Sequence, residues 1–81
     1  MIRILGSMLC KDCVECRQEL DAAKVKYEYC DFANELKYLK EFLMLRDKES
    51  VFAEVRREGR IGIPCIIRED GTLTLDWQEF L

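Results

Sequence analysis

The chain has no histidine, one proline, one tryptophan and four glycines in 81 residues. Without histidine, zinc sites built from cysteine and histidine together are excluded, and only all-cysteine or cysteine–carboxylate coordination remains. A basic surplus is missing too. The net charge is −3, with acids and bases interleaved along the chain, so no stretch offers the electrostatic footprint that nucleic acid requires. The apolar N-terminal stretch from Met1 to Leu9 is too short to span a membrane, and it lacks the basic start and small-residue cleavage site of an export signal. No membrane partner and a cytoplasmic location are therefore expected. No internal repeat, linker or low-complexity segment interrupts the chain, so one domain over residues 1–81 is expected. A domain of this size hides only about 60% of the surface its unfolded form exposes.

What the chain does have is cysteine, five in all, with Cys10, Cys13 and Cys16 crowded together. An odd count and tight spacing do not suit the disulfide scaffold of a small secreted protein. In a reducing compartment they point to catalysis or metal binding. Hydrophobic residues make up 49% of the chain and charges of both signs are plentiful, a composition for a globular protein and not for a disordered tail.

Ile2, Ile4 and Leu5 form a short apolar run ended by Gly6-Ser7, which reads as a buried first strand. From Cys10 to Lys24 the period changes to that of a helix, with Cys13, Cys16, Leu20 and Ala23 on one face. Val25, Tyr27 and Tyr29 alternate with Lys26 and Glu28 as in a half-buried strand, and Asp31 to Asn34 supplies a break. Leu36, Leu39, Phe42 and Leu43 then make the apolar stripe of a second helix. Asp47 to Ser50 suits a stop and restart, and Val51, Phe52 and Val55 pattern a third helix that Gly59 can end. The two β-prone runs on either side of Asp70-Gly71 read as an antiparallel hairpin. Asp76 and Glu79 have the spacing of a capping box that would start a terminal helix carrying Trp77 and Phe80. The expected order is β-α-β-α-α-β-β-α.

A thiol–disulfide exchanger needs one exposed sulfur held as thiolate and a second within bonding reach that displaces the mixed disulfide. Across the first turn of a helix, Cys10 and Cys13 meet that need, because the free N–H groups there favour negative charge on the first sulfur. Cys10 is thus the expected nucleophile and Cys13 the resolving thiol. Lys11 adds a positive charge beside Cys10, whereas Asp12 and Glu15 oppose its ionisation. Cys16, three residues on along the apolar stripe, reads as core packing. Leu9, Ile63 and Trp77 suggest an apolar surface for a protein partner.

Two other readings compete. In the first, Cys10, Cys13 and Cys16 form the C-x-x-C-x-x-C opening of an iron–sulfur or metal run, with Cys65 as a fourth ligand. That run expects a further cysteine just downstream, where this chain has Leu20. In the second, the domain is a noncatalytic binding module whose cysteines only pack.

The strand Ile2 to Leu5, the stretch from Gly6 through Cys10-Lys11-Asp12-Cys13 to Val14, and the later Gly62-Ile63-Pro64-Cys65-Ile66-Ile67 together resemble the glutaredoxin family of the thioredoxin superfamily. The resemblance implies an α/β thioredoxin-like fold, a four-stranded mixed sheet flanked by helices. It also implies a cis peptide bond at Pro64 beside the active disulfide, and an Ile63 backbone next to Cys10 that pairs with an extended peptide or glutathione. Its implied glutathione contacts are Lys11, Ile63, Pro64 and Asp76. The implied substrates are a disulfide-containing protein or a glutathione mixed disulfide, with glutathione as co-substrate, a reductase as electron source, and no bound metal or prosthetic group. Cys65 is expected to fill the sheet, and Cys30 is assigned no role. The chain departs from the family pattern in having Lys11-Asp12 between the cysteines where the family has proline-tyrosine, Ser7-Met8-Leu9 where it has a basic residue, and Thr72 to Leu75 where it has a glycine pair before the aspartate. These departures leave a thioredoxin reductase or another donor open as the electron source.

Overall fold

The computed structural model describes residues 1–81. Strand β1 (Ile2–Gly6) leads through helix α1 (Lys11–Ala22) to β2 (Tyr27–Asp31). Helix α2 (Leu36–Lys48), a 3₁₀ turn (Ser50–Phe52) and helix α3 (Ala53–Glu58) then return the chain to β3 (Cys65–Ile67) and β4 (Leu73–Thr74), and a second 3₁₀ turn (Trp77–Phe80) closes it. The four strands form one mixed sheet in the order β2-β1-β3-β4. Strand β1 runs parallel to β2 and antiparallel to β3, and β4 is antiparallel to β3. The parallel pair requires a crossover, which α1 supplies. No helix is long and apolar enough to cross a membrane.

The two-residue period of β1 splits the core in two. Ile2 and Ile4 pack with Cys16, Leu20 and Ile66 on the α1 side, joined by Tyr27, Tyr29, Trp77 and Phe80. Leu5 packs with Cys30, Cys65, Phe42, Phe52 and Val55 on the side covered by α2 and α3. Both faces of the central strand are thus sealed, with Ile4 and Leu5 fully buried.

Three expectations need correction. The stripe expected on α2 is rotated. Phe42 is buried and Leu39 packs partly beneath the helix, but Leu36 is 76% and Leu43 46% exposed. The helix meets the sheet along Tyr38, Phe42 and Leu45, and Glu41 on the same flank is held by the Arg3 guanidinium through two bonds of 2.9 Å. Helix α1 ends at Ala22, and Ala23 is exposed, because Lys24 turns the chain with φ +59° before β2 begins. The terminal segment is a single 3₁₀ turn without a closed capping box. The Asp76 carboxylate accepts the Gln78 N–H at 3.0 Å, but Glu79 pairs with Arg68 at 2.6 Å and accepts the Thr74 hydroxyl.

Candidate active site

The site begins where β1 stops. The Ser7 hydroxyl accepts the Leu9 N–H and the Ser7 carbonyl accepts the Cys10 N–H, both at 3.1 Å, and this tight turn delivers Cys10 to the N-cap of α1. Cys10 has extended dihedrals (φ −91°, ψ 123°), and its carbonyl accepts the Val14 N–H. No side chain caps the helix. Its sulfur therefore sits at the helix end where a serine or aspartate oxygen would normally satisfy the free N–H groups, with the Asp12 carboxylate in the same first turn.

Cys10 is the one cysteine of the five that is not buried. Its neighbour one turn on, Cys13, is fully buried, and Cys10 is among the groups that shift its ionisation. Burial pushes the Cys13 thiol up to about 12; the Ser7 backbone N–H aimed at it works against that rise, and the nearby Cys10 adds to it. Room for this sulfur depends on Gly6. A Cβ there would stand 2.8 Å from the Cys13 Sγ and 3.0 Å from the Tyr29 Oη.

The opposite wall is the segment before β3. The Ile63–Pro64 peptide bond is cis, and the Ile63 carbonyl oxygen lies 3.9 Å from the Cys10 Sγ, within reach of the thiol as a weak donor. Gly62 makes this approach feasible. It has φ +96°, and a Cβ would press on the Phe52 and Val55 side chains at 3.0 Å. Arg46 reaches across from α2 to donate to the carbonyls of Arg60 and Ile61, fixing the loop from outside. A cleft of about 310 Å³ runs between the two walls, bordered by Cys10, Asp12, Arg60, Gly62 and Ile63.

Cys10, Cys13, Ile63 and Pro64 thus come together, Pro64 buried at the base. Lys11 is exposed at the start of α1, and Asp76 caps the terminal 3₁₀ turn; neither borders the cleft. Leu9 is 98% exposed beside Cys10. Trp77, expected on the same surface, instead packs against the α1 side of the core, its Nε1–H donating to Glu19 at 3.1 Å.

The four cysteines of the metal reading are not gathered. Cys16 lies on the α1 side of the sheet and Cys65 on the other, and no three histidine, cysteine, aspartate or glutamate side chains converge on a point that would hold an ion. Burial pushes both Cys16 and Cys65 up to about 12. Cys30 and Cys65 share a cluster but pair with Leu5 from opposite sides of β1, about 10 Å apart and beyond disulfide reach. Burial raises Cys30 as well, and Arg3 offsets part of that rise.

Sequence reasoning missed Gly6 as the seat of the Cys13 sulfur, Tyr29 as its neighbour and Arg46 as the clamp on the facing loop. A glycine closing a strand just before a C-x-x-C was a usable signal for the first. Nothing in the pattern around Tyr29 or Arg46 pointed to the other two.

Among known proteins, the chain is 33% identical over 67 residues to an uncharacterized protein of Haemophilus influenzae. The match covers 83% of this chain and 78% of that one, and the chain belongs to the same family as that protein. No family model matches the chain. No solved structure matches it.

Proposed function

We propose that this family member is a glutaredoxin-like thiol–disulfide oxidoreductase with a thioredoxin-like fold, acting through Cys10 and Cys13 in a reducing compartment, the cytoplasm. The observation that carries this reading is the pairing of an accessible sulfur at an uncapped helix N-terminus with a fully buried thiol one turn on, the first sulfur facing the Ile63 backbone carbonyl at 3.9 Å.

The Cys10 thiolate attacks one sulfur of a substrate disulfide, forming a Cys10 mixed disulfide and expelling the other sulfur as a thiolate that takes a proton from water. Cys13 then gives up its proton and attacks the Cys10 sulfur. The Cys10–Cys13 bond forms, the second substrate thiolate leaves, and two electrons have passed to the substrate. A thiol reductant, glutathione or the dithiol of a reductase, returns the pair to its starting state. The substrate is a disulfide-containing protein or a glutathione mixed disulfide, lying along the cleft with its backbone beside Ile63.

Replacing Cys13 with serine is expected to trap the mixed disulfide as a stable adduct visible by mass, and Cys10→Ser to reduce disulfide reduction to background. A Cys10→Ser protein that keeps full activity refutes the assignment.

A further inference from the structure

The Tyr29 hydroxyl is the one buried side-chain oxygen or nitrogen in the molecule without a hydrogen-bond partner. A buried orphan hydroxyl is destabilising, and phenylalanine would fill the same space without that cost. The hydroxyl faces the Cys13 sulfur, the two flanking the point where a Gly6 Cβ would sit. The groups around the pair come from three elements. Cys10 and the Ser7 N–H face Cys13 from the turn leading into α1. Arg17 of α1 places its guanidinium carbon 4.4 Å from the Tyr29 ring centroid, and Asp31 lies further along β2. Burial and the adjoining Cys13 both push the Tyr29 hydroxyl up, so it stays protonated and keeps a hydrogen to donate.

We propose that the Tyr29 O–H is the donor that holds the Cys13 sulfur while it carries negative charge, first as Cys13 attacks the mixed disulfide on Cys10 and again as Cys13 leaves when a thiol reductant opens the Cys10–Cys13 bond. In the first step the Cys13 proton goes to water and the electron pair on sulfur forms the new S–S bond. In the second the attacking thiolate bonds to Cys10, and Cys13 departs with the pair and is reprotonated by water. Tyr29 keeps its proton throughout. A hydrogen bond made only to the charged sulfur explains an oxygen left unpaired beside the neutral thiol, since sulfur is a weak acceptor until it ionises.

The inference rests on the redox reading of the pair. Its test is the rate at which excess dithiothreitol opens the Cys10–Cys13 disulfide, followed by acid quench and mass-shift alkylation, in the natural protein, in Tyr29→Phe and in protein carrying 3-fluorotyrosine at position 29. Tyr29→Phe should slow opening about tenfold, the loss of one hydrogen bond to a charged group, with its unfolding midpoint unchanged or raised. The fluorinated ring, a stronger donor, should speed opening, which a purely packing role would not do. Opening at the natural rate in both variants overturns this inference and leaves the redox reading standing. Failure of the natural protein to form the disulfide on oxidation overturns both.

Discussion

The two faces of the sheet bury cysteine equally deeply and surround it with different neighbours. On the α2 and α3 face, Cys30 and Cys65 sit beneath Phe42 and Phe52 with no reactive partner, and the Arg3–Glu41 ion pair closes over them. On the α1 face Cys13 is just as deeply buried, yet its surroundings include an accessible sulfur one turn back, the Ser7 backbone N–H and an orphan hydroxyl. Burial raises the thiols of Cys13, Cys16, Cys30 and Cys65 alike. Neighbours, and not depth, therefore set Cys13, the resolving thiol of the proposed reaction, apart from the others.

The largest expected effect that sharpens this contrast is on the packing face. Phe42→Ala removes a ring in contact with Phe32 and Phe52, with centroids 5.4 and 5.7 Å away. It should cost about 3–5 kcal/mol in denaturant unfolding and leave the alkylation rate of Cys10 in the folded protein unchanged. A large change in Cys10 reactivity would mean that the two faces are coupled and the division drawn between them is wrong.

Gly6→Ala acts on the other face. The new methyl must displace the Cys13 sulfur or the Tyr29 hydroxyl, at about 1–3 kcal/mol, and it should slow resolution of a preformed Cys10 mixed disulfide more than it slows the first attack by Cys10. Equal slowing of both steps in stopped-flow would argue against Gly6 as the seat of the resolving thiol.

The smallest effect is electrostatic. The Arg3 guanidinium holds the Glu41 carboxyl below its usual 4.5. A carboxyl depressed in the folded state stabilises the protein above its unfolded value and loses that contribution as pH falls through the folded one. With Arg3 and Glu41 each about a third exposed, the loss below about pH 4.5 should be less than about 1 kcal/mol. Acid titrations of stability should show it in the natural protein and not in Glu41→Gln.

Much of this architecture is legible in the chain itself. The β1 run and the Cys13, Cys16 and Leu20 face of α1 stand where the residue periods place them, and the β3–β4 hairpin stands where the Asp70-Gly71 turn places it, because each of these signals is local. Periodicity gives out where burial depends on what covers a face. It groups Leu36 and Leu43 with Phe42, but only tertiary docking decides that Phe42 turns inward. Local capping grammar likewise fails at Glu79, where a longer-range partner, Arg68, holds the carboxylate. The placing of Cys10 and Cys13 one turn apart at the start of α1 was readable because C-x-x-C spacing and helix geometry are local. Tyr29 and Arg46 were not, because they reach the site only through pairing between strands and across α2.

The most direct measurement is peptide mapping of the protein after mild oxidation. A linkage between Cys10 and Cys13, with Cys16, Cys30 and Cys65 recovered as free thiols, is the predicted result. Five free thiols, or a bridge that runs through any of the three packing cysteines, would contradict the account.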